Sequence, residues 1–148
     1  MYDMHVVDKR RRWVALMTLA LAALLIGAGC TASGPQQPPG SILIELKDSP
    51  WQVEVANTTL TAGSTTFYVK NVGSTAHDLT IIKTDLPPDK LPQDAGKAKE
   101  DGRVGGTPTL SPGQAMPLTV TLQPGNYVFI CNEPGHYALG MHTHVTVQ

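Results

Sequence analysis

Cysteine, histidine and methionine recur at equal intervals near the C-terminal end of the chain. They are Cys131, His136 and Met141, spaced C-x4-H-x4-M within Tyr127-Val128-Phe129-Ile130-Cys131-Asn132-Glu133-Pro134-Gly135-His136-Tyr137-Ala138-Leu139-Gly140-Met141. A single loop would then present a thiolate, an imidazole and a thioether. A thiolate and two imidazoles in a trigonal plane, with a weak axial thioether, make a type I copper site. The second imidazole must come from elsewhere, and His77 stands 54 residues before Cys131, at the start of a strand-like run.

Each residue alone is ambiguous, since a Met after a Gly usually packs a core and a single His is usually an ordinary polar residue. A zinc site using Cys131 and histidines, or a structural β-domain without metal, is open on these residues. The cysteine count adds weight to a metal. Cys30 and Cys131 are the only two in the chain, and in an oxidising compartment two cysteines are expected to pair. Cys30, however, ends a secretion-like segment and precedes a flexible spacer. Cys131 is left as an unpaired thiol in a secreted protein, which a metal would explain.

The elements that must position these residues are strands. Ile42 to Leu46, Trp51 to Ala56, Thr65 to Asn71, His77 to Thr84, Ala115 to Leu122, Asn126 to Asn132 and Met141 to Val147 are rich in Val, Ile, Thr and aromatics. Turn signatures such as Ser111-Pro112-Gly113-Gln114 and Gln123-Pro124-Gly125-Asn126 separate them. This punctuation predicts an all-β fold, a Greek-key β-sandwich of about seven to eight strands. Side chains repeat every second residue along a strand, so Phe67, Val69 and Asn71 share a face, as do His77, Leu79 and Ile81, and Tyr127, Phe129 and Cys131. His77 and Cys131 thus continue apolar faces toward one end of a core. Val128 and Ile130 make the other face of their strand apolar too, which a strand covered on both sides would explain.

Asp85 to Gly106 breaks the rhythm. It is rich in Pro, Asp, Lys and Gly and is too long for an ordinary connection. Pro92 to Glu100 is expected to hold a short helix, and the rest a loop near the strand that carries His77. His142 and His144 alternate with Thr143 and Val145, which predicts a solvated pair facing away from Met141, with a secondary metal or partner contact as the alternative.

The N-terminal end has a different character. Lys9-Arg10-Arg11-Arg12 precedes an uncharged apolar run from Trp13 to Gly29 that ends at Cys30, the pattern of a secretory signal. Leu25-Ile26-Gly27-Ala28-Gly29-Cys30 resembles a bacterial lipobox, with Gly27 where a branched apolar residue is usual; the resemblance implies a lipid on Cys30. The alternative is an uncleaved signal anchor, for which the 17 residues from Trp13 to Gly29 are at the short limit. Residues 1–29 are thus read as a signal or anchor, 30–40 as a flexible spacer and 41–148 as the folded domain. Seven Lys/Arg and ten Asp/Glu follow from Cys30 onward, a balance without the basic patch that nucleic acid requires.

The pattern as a whole resembles the cupredoxins, and within them the rusticyanin and sulfocyanin type of Cys-His-Met loop. The resemblance runs from about Ile42 to Val147. It is most specific in Phe129-Ile130-Cys131, Pro134-Gly135-His136 and Gly140-Met141, and in Asn71 through His77-Asp78. It implies one mononuclear copper held by His77, Cys131, His136 and Met141. It also implies that the residue after the first histidine, often asparagine and here Asp78, ties the histidine strand to the cysteine loop by hydrogen bonds, with Asp78 and Asn132 standing just behind the ligands.

The implied function is single-electron transfer, with transient docking to redox proteins such as a cytochrome, oxidase or reductase. The protein would then be a monomer, not an enzyme, anchored to the bacterial membrane on its extracytoplasmic side. A copper chaperone or store is the alternative. Multicopper oxidases need paired histidine motifs, and a dinuclear copper domain needs a second cysteine in the loop. His136 lies mid-loop and is expected to present its ring edge in an uncharged docking patch of Pro134, Tyr137, Ala138 and Leu139.

Overall fold

Strand-forming residues alternate with Gly, Pro and Asn turns along the whole of the folded domain, and every regular element among the described residues is a strand. The computed structural model describes residues 36–148; the signal-like segment, Cys30 and the first half of the spacer lie outside the described residues. Two sheets face one another. The first has the order β2 (Trp51–Val55), β1 (Ile42–Asp48), β4 (Gly63–Asn71), β9 (Ala115–Leu122). The second has the order β3 (Thr59–Leu60), β11 (His142–Val147), β10 (Gly125–Ile130), β5 (Thr80–Lys83), β8 (Arg103–Gly106). β1 pairs antiparallel with β2 but parallel with β4, so the chain crosses between sheets before returning.

The expected alternation sets the core. Ile44, Leu46, Phe67, Val69 and Leu122 from the first sheet meet Ile81, Tyr127, Phe129 and Val145 from the second, with Leu79 just ahead of β5, all fully or almost fully buried. The Phe67 and Phe129 rings cross edge to face, their centroids 5.4 Å apart. Leu79 and Ile81 lie in this core with Cys131 and Met141, so the apolar faces do converge where the candidate ligands begin.

The segment from Asp85 to Gly106 departs from expectation. No helix forms at Pro92 to Glu100; instead β6 (Gln93–Asp94) and β7 (Lys97–Ala98) pair as a small hairpin. Two-residue strands are too short to show a period, and the Pro, Asp and Gly content offered no helical stripe either. Further on, β8 adds an edge to β5, which puts this segment beside the strand that follows His77, as expected. Gly106 suits that edge, because a Cβ there would sit 2.5 Å from the Leu79 carbonyl oxygen.

A second, smaller core explains the two-faced strand. Ile82, Val128 and Ile130 pack on the outer side of the second sheet with Leu91, Ala98 and Tyr137. β10 lies between β11 and β5 and is therefore buried on both faces, one by the sandwich core and one by the segment that was expected to be loop.

The β6–β7 turn carries a strained residue. Ala95 has a φ of 47° and is followed by Gly96 at 79°, the two positive angles of a hairpin turn that favours Asn-Gly. Ala95 is exposed, so Ala95→Asn is expected to raise stability by about 0.5–1 kcal/mol, since Asn tolerates this region at lower cost than Ala. Equilibrium denaturation of the two proteins checks it.

Candidate metal centre

The three strand ends that carry the ligands are brought together by register. Ile130, the last residue of β10, lies opposite Thr80 on one side and His142 on the other. Cys131 follows directly, and its N–H donates to the Met141 carbonyl at 3.0 Å. The sequence places His77 in the strand, but the structure sets it three residues ahead of β5, outside the ladder. It is held there by two backbone bonds with Leu110 of 3.1 and 2.7 Å. Buried Asn71 stabilises this departure: its amide donates to the carbonyls of Thr75 and Leu110, and its carbonyl accepts from the Gly73 N–H. Gly73 has a reason of its own, because an added Cβ would lie 2.7 Å from His77 Nε2.

Three donor atoms meet at this point. His77 Nδ1 lies 3.2 Å from His136 Nδ1 and 3.6 Å from Cys131 Sγ, and Cys131 Sγ lies 3.4 Å from His136 Nδ1. Donor atoms so spaced are near enough to hold one metal ion between them. His77, Cys131 and Met141 are each 0% exposed, whereas His136 is half-buried. Met141 ends the loop with its N–H bonded to the His136 carbonyl, and it would supply the thioether to a copper held here. A thiolate, two imidazoles and a thioether are the donors that copper takes.

Burial acts on the protonation of these groups. It pushes the Cys131 thiol up to about 12, against the backbone N–H groups of Glu133 and Asp78, which favour the thiolate. Metal uptake must therefore displace the thiol proton. Burial, and then the neighbouring His136, lowers His77 from its ordinary value and favours the neutral ring that can ligate.

The implied tie between the two ligand segments is present. Asp78 Oδ1 accepts from the Asn132 N–H at 2.5 Å, and burial raises the Asp78 carboxyl above its ordinary value. Asn132 is itself clamped to the segment after β5. Its amide donates to the Ala98 carbonyl and to Glu100, and its Oδ1 accepts from the Ala98 N–H. The same segment holds the loop twice more. The Gly135 N–H donates to the Gly96 carbonyl at 2.8 Å. The Tyr137 hydroxyl donates to the Pro88 carbonyl and accepts from the Leu91 N–H, both at 2.8 Å.

Tyr137 is therefore a correction to the expected docking patch. It is 2% exposed and belongs to the smaller core, while Pro134, Ala138 and Leu139 are exposed. An amphipathic tyrosine buries its ring where its hydroxyl finds partners. His142 is corrected too: it is half-buried with its ring 5.3 Å from that of Tyr137, and only His144 is exposed.

Three further residues at the site are Trp51, Asp48 and Thr75. The Trp51 ring lies 4.8 Å from His136 and 6.0 Å from His77, covering both imidazoles. Asp48 pairs with Trp51 across the β1–β2 turn, and its Oδ2 accepts from the N–H and hydroxyl of both Ser74 and Thr75. The Ser74 N–H is the strongest of these influences in drawing the Asp48 carboxyl down to about 2. Their sequence signal is weak, since each is an ordinary turn or strand residue until the sandwich closes.

Comparison with known proteins agrees with this geometry. Residues 41–148 match the model of the family described as copper-binding proteins of the plastocyanin/azurin family. No curated protein sequence matches the chain. Among solved structures, the chain is similar to auracyanin from Roseiflexus castenholzii, with 26% identity, a TM-score of 0.53, and coverage of 76% of this chain and 99% of that one. Rusticyanin from Thiobacillus ferrooxidans shares the fold at 20% identity and a TM-score of 0.52, covering 78% and 86% respectively. Auracyanin A from Chloroflexus aurantiacus, titled a "blue" copper protein, does so at 23% and 0.50, covering 73% and 98%.

Tyr137→Phe tests the clamp on the ligand loop. It leaves the buried Leu91 N–H without its partner, and a loss of about 1–3 kcal/mol in unfolding free energy is expected. The visible spectrum of the copper-loaded protein is expected to stay unchanged.

Proposed function

Since this chain belongs to the plastocyanin/azurin family of copper-binding proteins, we propose that it carries single electrons between redox proteins and neither catalyses a reaction nor stores copper. The observation that carries this reading is the burial of the ligands, with His77, Cys131 and Met141 each at 0% exposure and His136 alone reaching partway to the surface. A chaperone or store must release its ion, which favours exposed ligands. Here the thiolate and the axial residue belong to the sandwich core. When bound, copper supplies a one-electron couple. The chain supplies a ligand set rooted on strand ends and clamped through Asn132, Gly135 and Tyr137, which resists rearrangement as the charge changes. The description of auracyanin A as a blue copper protein supports the same reading.

In this reading electrons enter and leave beside His136. Pro134, Ala138 and Leu139 provide an uncharged exposed surface on its loop, with Leu139 at 55% exposure. Such a surface suits brief, small contacts with a cytochrome, oxidase or reductase. The domain is a monomer held outside the cytoplasm, tethered by a lipid on Cys30 or by the Trp13 to Gly29 segment.

Leu139→Lys is expected to slow bimolecular electron transfer to a redox partner, with spectrum and potential unchanged; undiminished transfer would remove the docking role from this patch. Palmitate labelling in a host that processes lipoproteins is expected to be lost in Cys30→Ala. Labelling that persists would exclude the lipid tether at Cys30.

A further inference from the structure

We infer that Thr75 and Asp48 form a hydrogen-bond relay that fixes which nitrogen of His77 faces the copper, making Thr75 a positioning residue of the metal centre. The inference rests on the copper reading and concerns a part of the site outside the ligands. His77 Nδ1 faces Cys131 Sγ and His136 Nδ1, which leaves Nε2 directed away from the cluster. Nε2 lies 3.5 Å from Thr75 Oγ1 and 3.8 Å from Asp48 Oδ2. The Thr75 hydroxyl donates its one proton to Asp48 Oδ2 at 3.1 Å, so toward His77 it has only lone pairs to offer. The His77 proton must then sit on Nε2, and the Nδ1 lone pair is left pointing into the cluster.

The relay runs from His77 Nε2–H to the Thr75 hydroxyl and on to the Asp48 carboxylate. Its far end is fixed independently of Thr75's side chain, because Asp48 Oδ2 also accepts from the Ser74 N–H at 2.7 Å, the Ser74 hydroxyl at 3.0 Å and the Thr75 N–H at 2.9 Å. Its near end is fully buried, since His77 is 0% exposed. A buried ring N–H without an acceptor would be costly, so the relay both orients the ring and satisfies it. A ligating histidine that donates from its other nitrogen toward a carboxylate becomes more basic. Losing such a partner typically lowers metal affinity about 10–100-fold. A more basic ligand favours the oxidised ion, so the relay also lowers the reduction potential.

Thr75→Val removes the hydroxyl while the backbone N–H groups of Ser74 and Thr75 still hold Asp48. The cuprous protein is diamagnetic, so the His77 Nε2 proton is visible by NMR, and in the unaltered protein it is expected to exchange slowly with solvent. In Thr75→Val that proton is expected to exchange faster, copper affinity to fall about 10–100-fold, and the reduction potential to rise. Thr75→Ser is expected to restore all three. A Thr75→Val protein that keeps its colour with unchanged affinity, potential and proton exchange would overturn the relay and leave the copper site standing. An unaltered protein without copper–thiolate absorption would overturn the copper reading and the relay together.

Discussion

The pairing of Ile130 with Thr80 on one side and His142 on the other decides where Cys131 and Met141 stand and where the other two ligands must meet them. It aligns the end of β10 with the starts of β5 and β11, so that Cys131, Met141 and the residues ahead of Thr80 emerge at one edge of the sandwich. A slip of one residue would carry Cys131, together with Phe129 and Tyr127, out of the larger core to the face now held by Val128 and Ile130, because side chains alternate strictly. The register is strongly specified, since both faces of β10 are buried and a slip would put each apolar set into the wrong core. The metal centre thus inherits its precision from packing that has no metal chemistry in it.

His77 shows what the ladder alone does not provide. It has left the β5 register, and its position depends on polar groups: the Asn71 amide, the Leu110 backbone, and the loop gripped by Asp48. Cys131 and Met141 are placed by apolar packing, His77 by hydrogen bonds, and His136 by a turn whose backbone is tied to Glu133, Gly96 and Met141. Three different physical means hold the four ligands.

Much of this was legible in the sequence. The C-x4-H-x4-M spacing, the unpaired Cys131 and the apolar faces of Phe67, Leu79 and Phe129 were enough to place the ligands at one end of a β-sandwich. The face of Val128 and Ile130 even signalled a second cover. What covers it was not legible, because β6 and β7 are two residues each and a pairing that short leaves no period to read. Asp48, Thr75 and Trp51 were silent for a different reason. Asp48 and Trp51 reach His77 from the β1–β2 turn, too far away in the chain to leave a local pattern, and Thr75, two residues before His77, reaches it only through the conformation of the loop after β4. Tyr137 was misplaced because Ala138 and Leu139 after it are exposed, whereas its partners, Pro88 and Leu91, are 49 and 46 residues away.

The existence of two cores on either side of β10 divides the ligand loop between two packing units. Cys131 and Met141 are built into the larger, while Tyr137, one residue past His136, is built into the smaller through the segment that follows β5. Elements that bury fewer apolar groups open locally at lower free energy than the main core. The loop therefore has a stiff end and a softer middle: fluctuations of the smaller core are felt at His136, and the thiolate and thioether stay where they are. Sequence drift in Asp85 to Gly106 can for the same reason reshape the surroundings of His136 while leaving the sandwich, and the half of the site it holds, undisturbed.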